Sequence, residues 1–143
     1  MVPNIYLGPN DEMDIALLTK NHLLWEIEIK ISMADWRNDI KKDKWRYRGF
    51  GIKPYHPARF YYAVPSELLK NGIPDFVLPH AGIIEVPSKP TRHWCKGVRA
   101  AKAIHRHKLP ERYIEEMHRK ISMRYWNHVA PTKINNADED YCI

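Results

Sequence analysis

Two cysteines in 143 residues are too few for a disulfide framework. Cys95 and Cys142 also lie far apart, and they form no zinc pattern by themselves. Long apolar runs are missing too: nothing approaches the ~20 residues of a membrane span, and the N-terminus lacks the basic-then-apolar order of a signal peptide. These absences exclude a membrane partner and lead to the expectation of a soluble, cytoplasmic protein. No low-complexity tract and no internal repeat is present, and 44% hydrophobic with 28% charged residues is the composition of an ordered chain. At this length one core is expected, not two.

What the chain does have is an excess of base. Lys and Arg number 23 against 17 Asp and Glu, a formal charge of +6, and such a balance attracts polyanions at long range. The charge is segregated: Arg37 to Arg59 and Lys96 to Arg124 hold most of the positive side chains, while carboxylates cluster near the start. Lys41, Lys42, Lys44, Arg46 and Arg48, extended by Arg99 and Lys102, are the candidate phosphate-backbone contacts, which carry affinity without sequence information. Arg106 and Lys108 would lengthen that track.

Local patterns order the elements. A short Ile5-Tyr6-Leu7 run between Pro3 and Gly8 reads as an irregular entry or one brief edge strand. Met13 to Thr19 and Leu23 to Ser32 read as a hairpin turning at Lys20, Asn21 and His22. In the second strand Trp25, Ile27, Ile29 and Ile31 share one face, and Leu24, Glu26, Glu28, Lys30 and Ser32 the other. Ser32 with Asp35 matches a capping box for a helix running to about Lys44 along Met33, Trp36 and Ile40. On that helix Asp39 is expected to pair with Lys42 or with the neighbours of Asp43. Ala58 to Val64 and Ala81 to Val86 read as further strands, with a helical turn at Ser66 to Lys70. Helices are expected over about Lys96 to Arg106 and Glu111 to Asn127, the latter burying Ile114, Met117, Ile121 and Tyr125.

A hairpin turning at Lys20 and Asn21 sets Asp14 nearly opposite Glu28, and like charges so placed ask for a compensating cation. Lys30 alone cannot neutralise Asp14, Glu26 and Glu28. Oxygen ligands of this kind suit Mg²⁺, which takes one or two carboxylates and completes its shell with water and phosphate oxygens. Phosphodiester hydrolysis is the chemistry that follows. The competing structural reading is a solvated strand face whose alternating charges pair at little energetic gain. His93, Cys95, His105 and His107 are zinc-capable, but their spacing fits no familiar finger.

The runs Glu12-Met13-Asp14-Ile15, Glu26-Ile27-Glu28-Ile29-Lys30-Ile31-Ser32 and Ala34-Asp35-Trp36-Arg37-Asn38-Asp39 together resemble the PD-(D/E)XK nuclease superfamily. Within it the chain is most similar to the MmcB-like branch of bacterial DNA-repair and phage proteins. Phe60-Tyr61-Tyr62-Ala63-Val64-Pro65 and Ala81-Gly82-Ile83-Ile84-Glu85-Val86 resemble that branch's later strands.

The resemblance implies an α/β, restriction-endonuclease-like fold: a mixed central sheet flanked by helices, with a helical C-terminal extension. It implies one domain over residues 1–130, with its core near 12–87, helices near 95–128, and a polar acidic tail at 131–143. Asp14, Glu28 and Lys30 become the catalytic set, with Asp14, Glu28 and the Ile29 carbonyl as ligands of Mg²⁺ or Mn²⁺ and Glu26 auxiliary. The implied function is DNA cleavage in repair, recombination or phage DNA processing, in a host cytoplasm if phage-encoded. The alternative is a non-catalytic nucleic-acid-binding or accessory module on the same fold. A third reading is a protein-interaction factor. Many superfamily members begin with a helix that supplies a further glutamate, whereas thirteen residues precede Asp14 here. Either a helix from elsewhere in the chain covers that flank, or a second subunit in a homodimer does, or part of the catalytic equipment has been lost.

Overall fold

A computed structural model describes residues 2–8, 11–39, 41, 53–89 and 95–128. It is an α/β arrangement of six strands in one mixed sheet with two helices. The strands are β1 (Val2–Gly8), β2 (Asp11–Leu18), β3 (Leu24–Ile29), β4 (Arg59–Pro65), β5 (Gly82–Val86) and β6 (Lys96–Arg99). They lie side by side in chain order. β3, β4 and β5 run parallel, and the other neighbours pair antiparallel.

The β2–β3 hairpin forms in the expected register, with Ile15 opposite Ile27 and Ala16 opposite Glu26. Its turn is closed by Thr19, whose side chain accepts the Leu23 N–H at 3.0 Å, while His22 takes a left-handed φ of 59°. Parallel pairing of β3 with β4 needs a crossover, and α1 (Met33–Asp39) lies in it. Ser32 caps this helix: its Oγ accepts the Asp35 N–H at 3.1 Å.

The N-terminal run is a seven-residue strand, longer than the brief edge strand its sequence implies. α2 (Glu111–His128) packs on it. Lys120 donates to the Tyr6 carbonyl at 2.5 Å, and Arg124 donates to the carbonyls of Pro3 and Asn4. Cations from the helix thus occupy carbonyls on the outermost strand, which would otherwise invite another chain. Half of the expected α2 stripe is buried, Ile114 and Met117, whereas Ile121 is exposed. The Tyr125 side chain lies outside what is described.

The helix expected over Lys96 to Arg106 does not form. Lys96 to Arg99 is instead β6, pairing with β5. Arg99 reaches back, donating to the carbonyls of Ala81 at 2.8 Å and Leu78 at 2.9 Å. Long-range pairing to the edge of β5 overrides local helical preference here.

Two apolar clusters carry the core. One joins Ile5, Leu7, Met13, Ala16 and Leu24 to Leu109, Ile114 and Met117. The other joins Trp36 of α1 to Phe60, Tyr62 and Val64 of β4, Ile83 of β5, Val77 and Ala81. On the opposite face Tyr61 lies across Gly82, its partner on β5. A Cβ at Gly82 would strike the Tyr61 ring and come within 2.8 Å of the Ala101 nitrogen, so only glycine permits this contact.

Candidate active site

β3 is built inside out. Glu26, Glu28 and Lys30 are 1%, 2% and 3% exposed, while Ile29 and Ile31 on the other face are 46% and 78% exposed. The solvated-face reading of these charges is therefore overturned. Their face turns inward because parallel register sets Glu26 beside Phe60 and Glu28 beside Tyr62, under the second apolar cluster. Pairing continues one residue past the strand, where the Lys30 N–H donates to the Ala63 carbonyl at 3.0 Å. Lys30 thus keeps its alternation at the C-terminal end of the parallel strands, the end at which open α/β sheets hold their ligands.

Around that end four elements converge. The β2 residue Asp14 is half-buried, and its carboxylate accepts the Ile29 N–H at 2.8 Å. From β3, Glu28 meets the Lys30 ammonium at 3.1 Å. At the end of α1, Asp39 meets the same ammonium at 2.9 Å. β4 contributes the Tyr62 hydroxyl, which donates to the other Asp39 oxygen at 2.9 Å. Asp39 thus pairs with Lys30; Lys42, its expected partner, lies outside the described residues. The sequence did carry a signal for this: Asp39 falls three residues after Trp36, on the helix face that the tryptophan buries.

Among the described residues, Asp14, Glu28 and Asp39 all act on the Lys30 ammonium. Burial lifts the Asp14 carboxyl above the ordinary carboxylate range; the Ile29 N–H pulls it down, but the nearby Glu28 carboxyl adds to the rise. Burial works against the Lys30 ammonium, yet Asp39 and Glu28 outweigh it and hold its pKa above the usual lysine value. Burial, with Asp39 beside it, pushes the Tyr62 hydroxyl well above the ordinary tyrosine range.

The donor set decides which cation fits. Among the described residues no group of three or more His, Cys, Asp or Glu side chains is placed to hold a metal ion. An ion that demands three or four side-chain ligands is poorly served. One that takes one or two carboxylates and fills its shell with water and phosphate oxygens matches Asp14 and Glu28.

The expected nucleic-acid track is only partly in view. Lys41 and Lys102 are exposed. Arg99 is half-buried and spends its guanidinium on backbone carbonyls, so it is a structural residue, not a free phosphate contact. Lys44, Arg46, Arg48 and the acidic tail lie outside the described residues. Of the zinc-capable residues, His93 lies outside the described residues. His105 uses Nε2 on the His56 carbonyl at 2.9 Å and Nδ1 on the His107 N–H at 3.1 Å, which leaves no lone pair free.

No helix among the described residues is long and apolar enough to cross a membrane. No protein-family model matches the chain, and no curated protein is significantly similar to it. Among solved structures, a protein of unknown function from Silicibacter pomeroyi is similar over 92% of this chain and 80% of its own length, with a TM-score of 0.64. Identity to it is 20%, so the likeness is one of fold.

Proposed function

We propose that this chain is a Mg²⁺-dependent nuclease on a restriction-endonuclease-like fold, hydrolysing phosphodiester bonds in DNA. One observation carries the reading: Glu26, Glu28 and Lys30 are buried while Ile29 and Ile31 on the other face are exposed. Taking carboxylates and an ammonium out of water costs several kcal/mol per ion, of which pairing returns only part. Such clusters, with shifted pKa values at the open end of a sheet, are the usual mark of a site maintained for chemistry. Mn²⁺ is expected to substitute for Mg²⁺.

In this reading Asp14 and Glu28 hold the cation, joined by the Ile29 carbonyl. When bound, the cation supplies Lewis acidity to the phosphate and lowers the pKa of an attacking water. Lys30, held beside Glu28, faces the scissile phosphate and offsets the charge that grows on its oxygens. Ile29 locks Asp14 through its N–H, so the carboxylate need not reorganise during the reaction. Glu26, deeper on the same face, is auxiliary. Repair, recombination or phage DNA processing is the proposed setting.

The test is cleavage of single-stranded, duplex and branched DNA with Mg²⁺ or Mn²⁺ by the native chain and by Asp14→Ala, Glu28→Ala and Lys30→Ala. Native cleavage that falls by about a thousandfold or more in each variant supports the assignment. Salt-sensitive DNA binding without any cleavage would reassign the same surface to a binding module.

A further inference from the structure

Asp39 is a carboxylate in an unfavourable place. It closes α1, where the free carbonyls of the helix already carry partial negative charge, and it is 1% exposed. What it meets there is the Lys30 ammonium on one oxygen and the Tyr62 hydroxyl on the other. Tyr62 is fixed in turn, with the Trp36 ring edge-on at a centroid distance of 5.5 Å and Phe60 at 4.7 Å. A chain of contacts therefore runs from the core through Tyr62 and Asp39 to the ammonium. Among the described residues, the charged and titratable groups around Lys30 are Asp14 from β2, Glu28 from β3, Asp39 from α1 and, through Asp39, Tyr62 from β4.

A lysine tied to Glu28 alone would be free to swing on its four-carbon stem and would lie wherever that carboxylate led it. With a second anchor on α1, the ammonium lies between two carboxylates that belong to different elements. Its position then depends on how α1 docks on the sheet, and not on Glu28 alone.

We infer that Asp39, braced by the Tyr62 hydroxyl, is the positioning residue for Lys30, fixing the ammonium beside Glu28. This rests on the nuclease reading above for its catalytic consequence, but not for its geometry. Asp39 touches no substrate and acts only through Lys30.

Two readouts separate these claims. Cleavage of duplex DNA by Asp39→Asn is expected to lose about 30-fold to 100-fold in kcat with KM for DNA changed by less than about threefold, the pattern of a displaced group, not of lost binding. Tyr62→Phe, which keeps the ring and its packing, is expected to lose about threefold to tenfold in kcat. Independently of activity, ¹⁵N-lysine-labelled protein is expected to show a slowly exchanging Lys30 ammonium, assigned by its absence in Lys30→Met. That signal should be lost in Asp39→Asn and weakened in Tyr62→Phe. A Lys30 ammonium that exchanges as freely as exposed Lys41 in the native chain overturns the proposal, as does Tyr62→Phe or Asp39→Asn with unchanged kcat and an unchanged signal. A native chain that cuts no DNA but loses the signal in Asp39→Asn refutes the nuclease reading and leaves the positioning role standing.

Discussion

The two halves of the sheet solve opposite problems. Where α2 covers β1 and β2, the core is aliphatic, Ile5, Leu7, Met13, Leu24, Ile114 and Met117, and the cations of the helix are spent on backbone carbonyls at the sheet edge. Where α1 covers β3 and β4, an aromatic core of Trp36, Phe60 and Tyr62 surrounds Glu26, Glu28, Lys30 and Asp39. The first half follows the hydrophobic pattern of its sequence, and the second contradicts it. A protein selected only for stability would have turned Ile29 and Ile31 inward. That β3 does the reverse is what the proposed function explains: in that reading the α1 half is held for chemistry.

The comparison can be broken most forcefully at Lys30. Lys30→Met removes the single ammonium from a group of buried carboxylates and is expected to cost about 3 to 5 kcal/mol in denaturant unfolding at neutral pH, together with DNA cleavage. Met117→Ala, in the aliphatic half, is expected to cost about 2 to 4 kcal/mol while leaving cleavage per folded molecule unchanged. If both variants lost activity alike, the two halves would not be functionally distinct.

A smaller and pH-dependent effect comes from His56, which is 5% exposed. Its Nδ1 accepts the Lys53 N–H at 2.9 Å, an arrangement that protonation would destroy. Burial, helped by His105 and Lys53, holds its pKa down to about 4 from 6.5. The unfolded chain therefore binds a proton that the folded chain refuses between these values. Stability from this group is complete above pH 6.5 and falls as pH drops toward 4, by on the order of 2 kcal/mol. His56→Asn retains an acceptor without titrating, and urea midpoints from pH 7 to 4.5 should flatten in that variant relative to native.

Much of this was legible in the sequence. The hairpin register followed from the turn at Lys20 and Asn21, and it set Asp14 near Glu28 before any coordinate was known. Ser32 announced α1. Which face of β3 turns inward was not legible, because alternation separates two faces without saying which is covered. That depends on Trp36, Phe60 and Tyr62, distant in sequence, arriving over the glutamates. The Asp39–Lys30 contact was not legible for the same reason: local spacing offers only helix neighbours, and the crossover brings Lys30 within 2.9 Å. β6 escaped detection because an open edge of β5, not local preference, makes Lys96 to Arg99 a strand.

The most direct test of the account pairs thermal unfolding with Mg²⁺-dependent duplex cleavage on one preparation of Glu28→Gln. That substitution keeps the shape, removes a charge facing Asp14, and leaves Lys30 its bond to Asp39. The account predicts cleavage reduced by about a hundredfold or more in a protein whose melting temperature equals or exceeds the native value. A variant that cuts as well as native while melting several degrees lower would contradict it, and would make the buried charges of β3 a structural pair instead of an active site.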